Sequence, residues 1–330
     1  MNNILEVKNL RTSFFTKKGE VQAVRDVSFN IGKKEIVGLV GESGSGKSIT
    51  SKSIMGLISH PGKVIGGEIL FEGNDLTKLD ESDMRKVRGN EISMVFQDPM
   101  TALNPLIKVG KQLSEILIRH QNLNKIEARE KSIELLRAVG IPSPETRIDN
   151  YPHEFSGGMR QRVCIAMAMS SSPKLLIADE PTTALDVTIQ AQILRLLKDL
   201  NRKNENSIIL ITHDLGVVYN TCDRVIVMYG GKIMETGTVE EIFKNAKHPY
   251  TIGLLKSIPK YNAYDRERLV PIQGNPPNLL NPKSGCPFYD RCDYKEDICK
   301  DKIVTRELSE THRVNCTRVS EDKYNEFDRS

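Results

Sequence analysis

Gly41-Glu-Ser-Gly-Ser-Gly-Lys47-Ser48 is the stretch that decides the fold of this chain. It fits the pattern G-x-x-x-x-G-K-[ST], follows an apolar run over residues 35–40 that predicts a buried strand, and precedes a predicted helix over residues 49–58. Glycines let the backbone curl so that its N–H groups face a chain of phosphates, and the helix N-terminus adds its dipole. Lys47 would place its charge on the β- and γ-phosphates, and the Ser48 hydroxyl would bind Mg²⁺. The residues expected to hold the phosphates are Gly41, Ser43, Gly44, Gly46, Lys47, Ser48 and Ile49.

Length and composition set the class of protein. The 330 residues suggest two domains, and 38% hydrophobic with 27% charged residues is ordinary for a soluble globular chain. The formal net charge of +4 is too small to require nucleic acid as a partner. No apolar run approaches the ~20 residues that span a bilayer, and the start of the chain lacks the pattern of a signal peptide. A cytosolic protein is therefore expected, and any role at a membrane would come through a partner chain.

Hydrophobic periodicity predicts an α/β fold. Apolar runs at residues 175–178 and 208–211 enclose an amphipathic helix over residues 189–200, and this β-α-β order favours a parallel sheet. Helical spacing runs from about residue 106 to 139 and is broken by Pro142 and Pro144. A second helix is predicted over residues 158–171 and a hairpin over residues 225–235. The composition shifts towards Pro, Asn and charged residues beyond Phe243. We therefore predict one domain over residues 1–245 and an extension over residues 246–330.

A second motif supplies the acidic partner that a phosphate-binding loop needs. In Lys174-Leu-Leu-Ile-Ala-Asp179-Glu180, four apolar residues bury a strand and bring Asp179 to the carboxyl edge of the sheet. There Asp179 could hold Mg²⁺ through water, and Glu180 could polarise a water for attack on a γ-phosphate. The two motifs together predict a nucleoside triphosphatase.

Four further motifs carry a family resemblance. Phe155-Ser156-Gly157-Gly158-Met159 resembles the signature of ABC-type ATPases, although Phe155 and Met159 replace the usual Leu and Gln. Gln97 is similar to the Q-loop glutamine, the stretch ending in Asp186 to the D-loop, and His213 to the switch histidine. The resemblance implies an ATPase core with a parallel sheet, an antiparallel β subdomain and a helical subdomain at about residues 100–170.

The same resemblance implies roles for these residues with ATP and Mg²⁺. His213 would contact the γ-phosphate, and Gln97 the Mg²⁺ or the attacking water. Two ATPase chains would pair head to tail, so that Ser156, Gly157 and Gly158 close over the nucleotide of the partner. The aromatic residue that stacks on adenine is expected to be Phe14, with Phe15 as the alternative.

Three longer stretches narrow the resemblance to one branch of this family. They are Gln97-Asp-Pro-Met-Thr-Ala-Leu-Asn-Pro105, the run that begins His248-Pro-Tyr-Thr, and Gly285-Cys-Pro-Phe-Tyr-Asp-Arg-Cys292. Together they resemble the ATP-binding subunit of bacterial dipeptide and oligopeptide importers, a branch that includes nickel importers. This implies a second, related ATPase subunit, two membrane permeases, an external peptide-binding protein and a peripheral place on the cytoplasmic face of the membrane. No nucleic acid is expected.

Four cysteines crowd into the last part of the chain. Cys286, Cys292, Cys299 and Cys316 lack the C-x2–4-C knuckles of structural zinc, and their irregular spacing suits an iron–sulfur cluster held by loops. The importer resemblance also implies a [4Fe–4S] cluster here, and zinc is the alternative. Cys164 and Cys222 stand in apolar surroundings and are expected to be core residues.

Two other functions compete with the importer ATPase. A soluble ABC protein acting on ribosomes or DNA would usually carry two ATPase modules or long coiled coils, which this sequence lacks. A non-hydrolysing regulatory subunit would usually have lost Glu180 or His213, and both are present.

Overall fold

The computed structural model describes residues 3–183, 185–258 and 271–319. The strands are β1 (Asn3–Thr16), β2 (Gly19–Gly32), β3 (Ile36–Val40), β4 (Gly62–Phe71), β5 (Asn74–Asp75), β6 (Ile92–Val95), β7 (Leu175–Asp179), β8 (Ser207–Thr212), β9 (Arg224–Tyr229), β10 (Lys232–Thr238), β11 (Thr305–Glu307) and β12 (Arg313–Asn315). The helices are α1 (Lys47–Ile54), α2 (Glu81–Val87), α3 (Pro99–Ala102), α4 (Val109–Gln121), α5 (Lys125–Ala138), α6 (Pro144–Arg147), α7 (Gly157–Met169), α8 (Val187–Asn204), α9 (Leu215–Thr221), α10 (Val239–Asn245) and α11 (Pro249–Lys256). Short 3-10 helices cover Leu76–Lys78, Pro152–Glu154, Tyr289–Arg291 and Asp297–Lys300.

The chain divides into two compact units. The first comprises Ile31–Ile36, Lys78–Ile211 and the chain start up to Ile4, and the second comprises Leu5–Asn30, Val37–Thr77 and the chain from Thr212 onward. This division by contacts differs from the boundary near residue 245, which stays a prediction.

The first unit contains three parallel strands and the predicted helical segment. β7 pairs in parallel with β6 on one side and with β8 on the other. Every residue of β7 and β8 is buried, which is the pattern of parallel strands covered on both faces. In α4 and α5 the apolar spacing is explained by Leu113, Leu117 and Leu136, whose side chains are all fully buried.

The second unit contains the remaining strands. Strands β2, β1, β4 and β5 are neighbours in this order, with β4 antiparallel to both β1 and β5. β3 is parallel to β9, β9 and β10 form the predicted hairpin, and β10 continues through β12 to β11. The C-terminal extension thus joins a sheet through the pairing of Glu235 with Val314. Gly38 of β3 allows close packing of α9, since a Cβ there would lie 3.0 Å from Val218 Cγ1 and 3.1 Å from Cys222 Sγ.

The predicted core elements are present, with shifted ends. The helix expected over residues 49–58 spans Lys47–Ile54, and the one expected over residues 189–200 spans Val187–Asn204. β1 and β2 mix buried and exposed positions, and most of the exposed positions carry polar residues, so neither strand forms one continuous apolar run. The two three-residue strands β11 and β12 were not predicted. No helix in the described part of the chain is long and apolar enough to cross a bilayer.

Candidate functional site

The phosphate-binding loop links β3 to α1 in the second unit, as predicted. Gly41 has φ +149° and Gly46 has φ +104°, which are conformations that L side chains rarely adopt. A Cβ on Gly41 would lie 2.1 Å from the Met228 carbonyl oxygen, and one on Gly46 would lie 2.6 Å from the carbonyl oxygen of Ala23. Both glycines are therefore required by the backbone packing of the loop.

Lys47 is the buried cation of this loop. Its Nζ donates to the carbonyl oxygens of Gly41 at 2.7 Å and Glu42 at 2.9 Å, and it lies 3.4 Å from Ser45 Oγ. The loop residues Ser43 and Gly44 are exposed, and Ser48 and Ile49 are half-buried in the first turn of α1. A positive charge and a helix N-terminus on one short loop form a site suited to phosphate.

The carboxylates predicted to hold Mg²⁺ (Asp179) and to act in catalysis (Glu180) lie in the first unit. Asp179 is buried as the last residue of β7, and Glu180 follows with φ +45°. Glu180 Oε2 accepts hydrogen bonds from Gln97 Nε2 at 2.9 Å and from Thr183 Oγ1 at 2.8 Å. The structure thus brings together Glu180 and Gln97, two of the three residues predicted to be catalytic.

The signature residues begin a helix, also in the first unit. Ser156 is the N-cap of α7, with its side chain accepting from Met159 N at 3.4 Å. Among the described residues, a Cβ on Gly157 would meet only Leu185 Cδ2, at 3.7 Å, whereas one on Gly158 would lie 2.6 Å from Ile189 Cγ2. Gly158 therefore has a packing role between α7 and α8 that its motif did not predict.

The remaining residues predicted to contact the nucleotide are divided between the two units. Asp186 is the N-cap of α8, where it accepts from Ile189 N at 2.9 Å, and Ala184 lies outside the described residues. His213 is exposed in the second unit, directly after β8. Phe14 is half-buried against Gly62, and Phe15 is 48% exposed. Exposure therefore favours Phe15 over Phe14 as an aromatic face open to a base.

The four clustered cysteines line a single cavity of the second unit. Cys286, Cys292, Cys299 and Cys316 share its wall with side chains that include His248, Tyr289 and Tyr294. Burial raises the pKa of the Cys286 thiol to about 12 and that of Cys292 to about 11, and the neighbouring thiols raise them further. Among the described residues, no three His, Cys, Asp or Glu side chains are arranged to hold one metal ion. Cys164 and Cys222 are buried, as predicted.

The sequence did not predict two residues outside the Gly41–Ser48 loop that contact it, Tyr250 and Arg291. Glu42, an unassigned position of the motif, donates its backbone N–H to Tyr250 Oη at 2.9 Å, and its carboxylate Oε2 lies 2.7 Å from Arg291 Nη1. Tyr250 belongs to the His248-Pro-Tyr stretch, whose sequence resembles importer subunits but did not predict this contact. That stretch begins α11, with His248 Nδ1 accepting from Tyr250 N at 3.0 Å and Pro249 in the first turn.

A buried carboxylate, also missed, ties the extension to β10. Glu235 is fully buried, and its oxygens accept from Lys247 N at 2.7 Å and His248 N at 3.0 Å. Its Oε1 lies 2.8 Å from His312 Nε2. A charge taken so far from water needs these partners, so the three contacts fix the segments that flank α11 and β12.

Comparisons with known proteins agree with the motifs. The family model described as ABC transporter matches residues 24–183, and the model for the C-terminal region of oligopeptide/dipeptide transporters matches residues 234–299. A dimeric ATP-binding cassette solved in a post-hydrolysis state with ADP and Pi aligns with TM-score 0.65 and 29% identity, over 71% of this chain and 98% of that chain.

Curated relatives match over nearly the whole length. The oligopeptide transport ATP-binding protein OppD of Bacillus subtilis is 57% identical over 95% of this chain and 88% of its own length. The dipeptide transport ATP-binding protein DppD of the same organism is 54% identical, over 96% and 95%. OppD of Escherichia coli is 50% identical, over 97% and 94%. The chain therefore belongs to the ATP-binding proteins of ABC transporters, in the group of the oligopeptide and dipeptide transport subunits.

Proposed function

We propose that this chain hydrolyses ATP to drive the uptake of peptides through partner permeases. The observation that carries the proposal is the identity of 50–57% with oligopeptide and dipeptide transport ATP-binding proteins over nearly all of this chain. Nickel import and a soluble, non-transport role have no observation of their own in support.

The roles proposed for the site residues follow from their chemistry. Lys47 and the glycines of the loop bind the phosphates, while Ser48, Gln97 and Asp179 hold Mg²⁺ directly or through water. Glu180 orients the attacking water and acts as its base, and His213 contacts the γ-phosphate. Ser156, Gly157, Gly158 and Asp186 serve the nucleotide of a second ATPase chain in a head-to-tail dimer, and Phe14 or Phe15 stacks on adenine.

The assembly is proposed to be that of an importer. One second ATPase subunit, related to this chain rather than identical, and two permeases would complete it, with peptide delivered by an external binding protein. The chain would then lie at the cytoplasmic face of the membrane. In this assembly the permeases and the binding protein would select the substrate. This chain would contribute the hydrolysis of ATP.

Transport by a reconstituted complex tests the proposal. The chain would be assembled with its candidate permeases, second ATPase and binding protein in vesicles, and the uptake of a labelled dipeptide, pentapeptide and Ni²⁺ would be compared with and without ATP. ATP-dependent uptake of either peptide supports the proposal. Uptake of Ni²⁺ without uptake of either peptide would show that the transported substrate is nickel. ATP hydrolysis without any uptake would favour a non-transport role.

We further propose that Cys286, Cys292, Cys299 and Cys316 hold one [4Fe–4S] cluster. The shared cavity supports a common ligand set, and soft thiolates suit iron–sulfur centres. One tetrahedral zinc needs four sulfurs about 2.3 Å from a single point, whereas several irons spread their thiolates farther apart. Zinc held by the same four thiolates is the alternative. When bound, the cluster would staple a segment that has little core of its own.

Metal analysis of anaerobically purified chain decides between the two metals. We expect brown protein with about four irons and matching inorganic sulfide, and broad absorption near ~400 nm. Cys292→Ser should lose the colour, and the buried Cys164→Ser should keep it. One zinc per chain without iron would contradict the cluster and leave a zinc staple.

A further inference from the structure

Arg291 stands directly before Cys292 and reaches the phosphate-binding loop. Its side chain is only 6% exposed, and its Nη1 donates to Glu42 Oε2 at 2.7 Å and to Tyr229 Oη at 3.0 Å. The same guanidinium donates to the carbonyl oxygens of Ile272 at 2.9 Å and Gln273 at 2.8 Å. The charge is therefore held in one place by groups on several sides.

Glu42 contacts both Arg291 and Lys47, the cation of the loop. Its carbonyl oxygen accepts from Lys47 Nζ at 2.9 Å, while its backbone N–H donates to Tyr250 Oη. Its carboxylate is the one negative side chain between Gly41 and Ser48. An uncompensated carboxylate there would repel an anionic phosphate chain, and a nearby guanidinium cancels that charge.

The surroundings of Arg291 are closely packed. The ring of Tyr229 lies 4.5 Å from that of Tyr250 and 5.3 Å from that of Phe288, measured between centroids. A Cβ on Gly230 would lie 2.6 Å from Pro287 Cβ. The cysteine-rich segment, residues 286–316, therefore packs directly on the turn between β9 and β10. Displacing Arg291 would therefore require this packed cluster to move.

We propose that Arg291 is a positioning residue for nucleotide binding, which acts by neutralising and holding Glu42 of the phosphate-binding loop. The inference rests on the proposed role of Lys47 and its loop in binding ATP. It gives the cysteine-rich segment a direct link to that loop, since Arg291 adjoins one of the four cysteines. Arg291 acts through its contact with Glu42, so its effect on nucleotide binding should depend on the Glu42 carboxylate.

A double-mutant cycle on the full-length chain tests this dependence. The Kd of MgATP would be measured by displacement of a fluorescent ATP analogue for Arg291→Gln, Glu42→Gln and the double variant. Arg291→Gln should weaken binding about tenfold, as expected if the competent loop falls to about one tenth of the population. Glu42→Gln alone should change the Kd less than about twofold, and the double variant should return to within about threefold of the wild type, because no carboxylate is left to hold.

Controls separate this effect from general loosening of the extension. Arg313→Gln changes an exposed arginine of β12 that pairs with Glu307, and it should leave the Kd unchanged. Arg291→Lys keeps the charge and serves where Arg291→Gln does not fold; it should weaken binding less, and Glu42→Gln should restore it. Lys47→Ala tests the proposed function itself: unchanged binding there would contradict the nucleotide site. If Lys47→Ala does weaken binding, two outcomes overturn the role of Arg291: no effect of its substitution, or no restoration in the double variant.

Discussion

At the scale of single residues, Glu180 combines an unusual backbone with a fixed side chain. Its φ of +45° is uncommon for a residue other than glycine, and such conformations cluster at functional sites. Gln97 and Thr183 both donate to the same carboxylate oxygen, and these two hydrogen bonds orient the carboxylate. A general base needs this kind of fixed geometry.

We expect Glu180→Gln to keep ATP binding and to lower ATP turnover by about 10²–10⁴-fold, the usual contribution of a general base. The amide preserves the shape of the side chain but cannot accept a proton. Steady-state hydrolysis and MgATP affinity would be measured on the assembled transporter. Glu205→Gln is the matched control, because Glu205 is an exposed partner of Lys34 in the same unit. Hydrolysis within a factor of a few of the wild type would remove Glu180 from the mechanism.

At the scale of elements, the signature stretch is both a helix start and a packing surface. Ser156 caps α7, and Gly158 brings this helix against Ile189 of α8. Two neighbouring glycines thus have different structural roles. Among the described residues, a Cβ on Gly157 would make one ordinary van der Waals contact, whereas a Cβ on Gly158 would clash with Ile189.

This difference gives a matched pair of substitutions. Gly158→Ala should lower the free energy of unfolding by about 1–3 kcal/mol through overpacking, and Gly157→Ala should leave it nearly unchanged. Thermal unfolding of the purified chain would measure both. Adding Ile189→Ala to Gly158→Ala should restore part of the free energy of unfolding that Gly158→Ala loses. Equal effects of the two alanines would show that the contact with Ile189 does not limit packing.

The local motifs were predictable from sequence because their chemistry is short-range. The glycine-rich loop, the apolar strand that ends in Asp179 and the cap at Ser156 each lie within about ten residues. The contact between Glu42 and Arg291 joins positions 249 residues apart, and no periodicity predicts it. Strands β11 and β12 were missed for a related reason: each has three residues, and they depend on pairing, β12 with β10 and β11 with β12, rather than on their own pattern.

At the scale of the whole molecule, buried polar contacts attach the C-terminal extension to the rest of the second unit. Glu235 of β10 holds both the start of α11 and His312, and Arg291 holds Glu42. Glu235 and Arg291 are buried at these contacts, where the loss of a polar partner is costly. The extension should therefore respond to a change of charge at the buried His248.

Acid should weaken the attachment of this extension through His248. Burial lowers the pKa of His248 from 6.5 to about 4, with the Glu235 carboxylate opposing the shift. The folded state therefore keeps His248 neutral while the unfolded state takes up a proton, so the stability from this residue is present above about pH 6.5 and is lost as the pH falls towards 4. His248→Asn keeps a side chain that can accept from Tyr250 N at the N-cap but cannot be protonated. We expect the melting temperature of the wild type to fall more between pH 7.5 and pH 5 than that of His248→Asn, even though the variant is less stable at both. An equal fall in both proteins would assign the acid sensitivity to other groups.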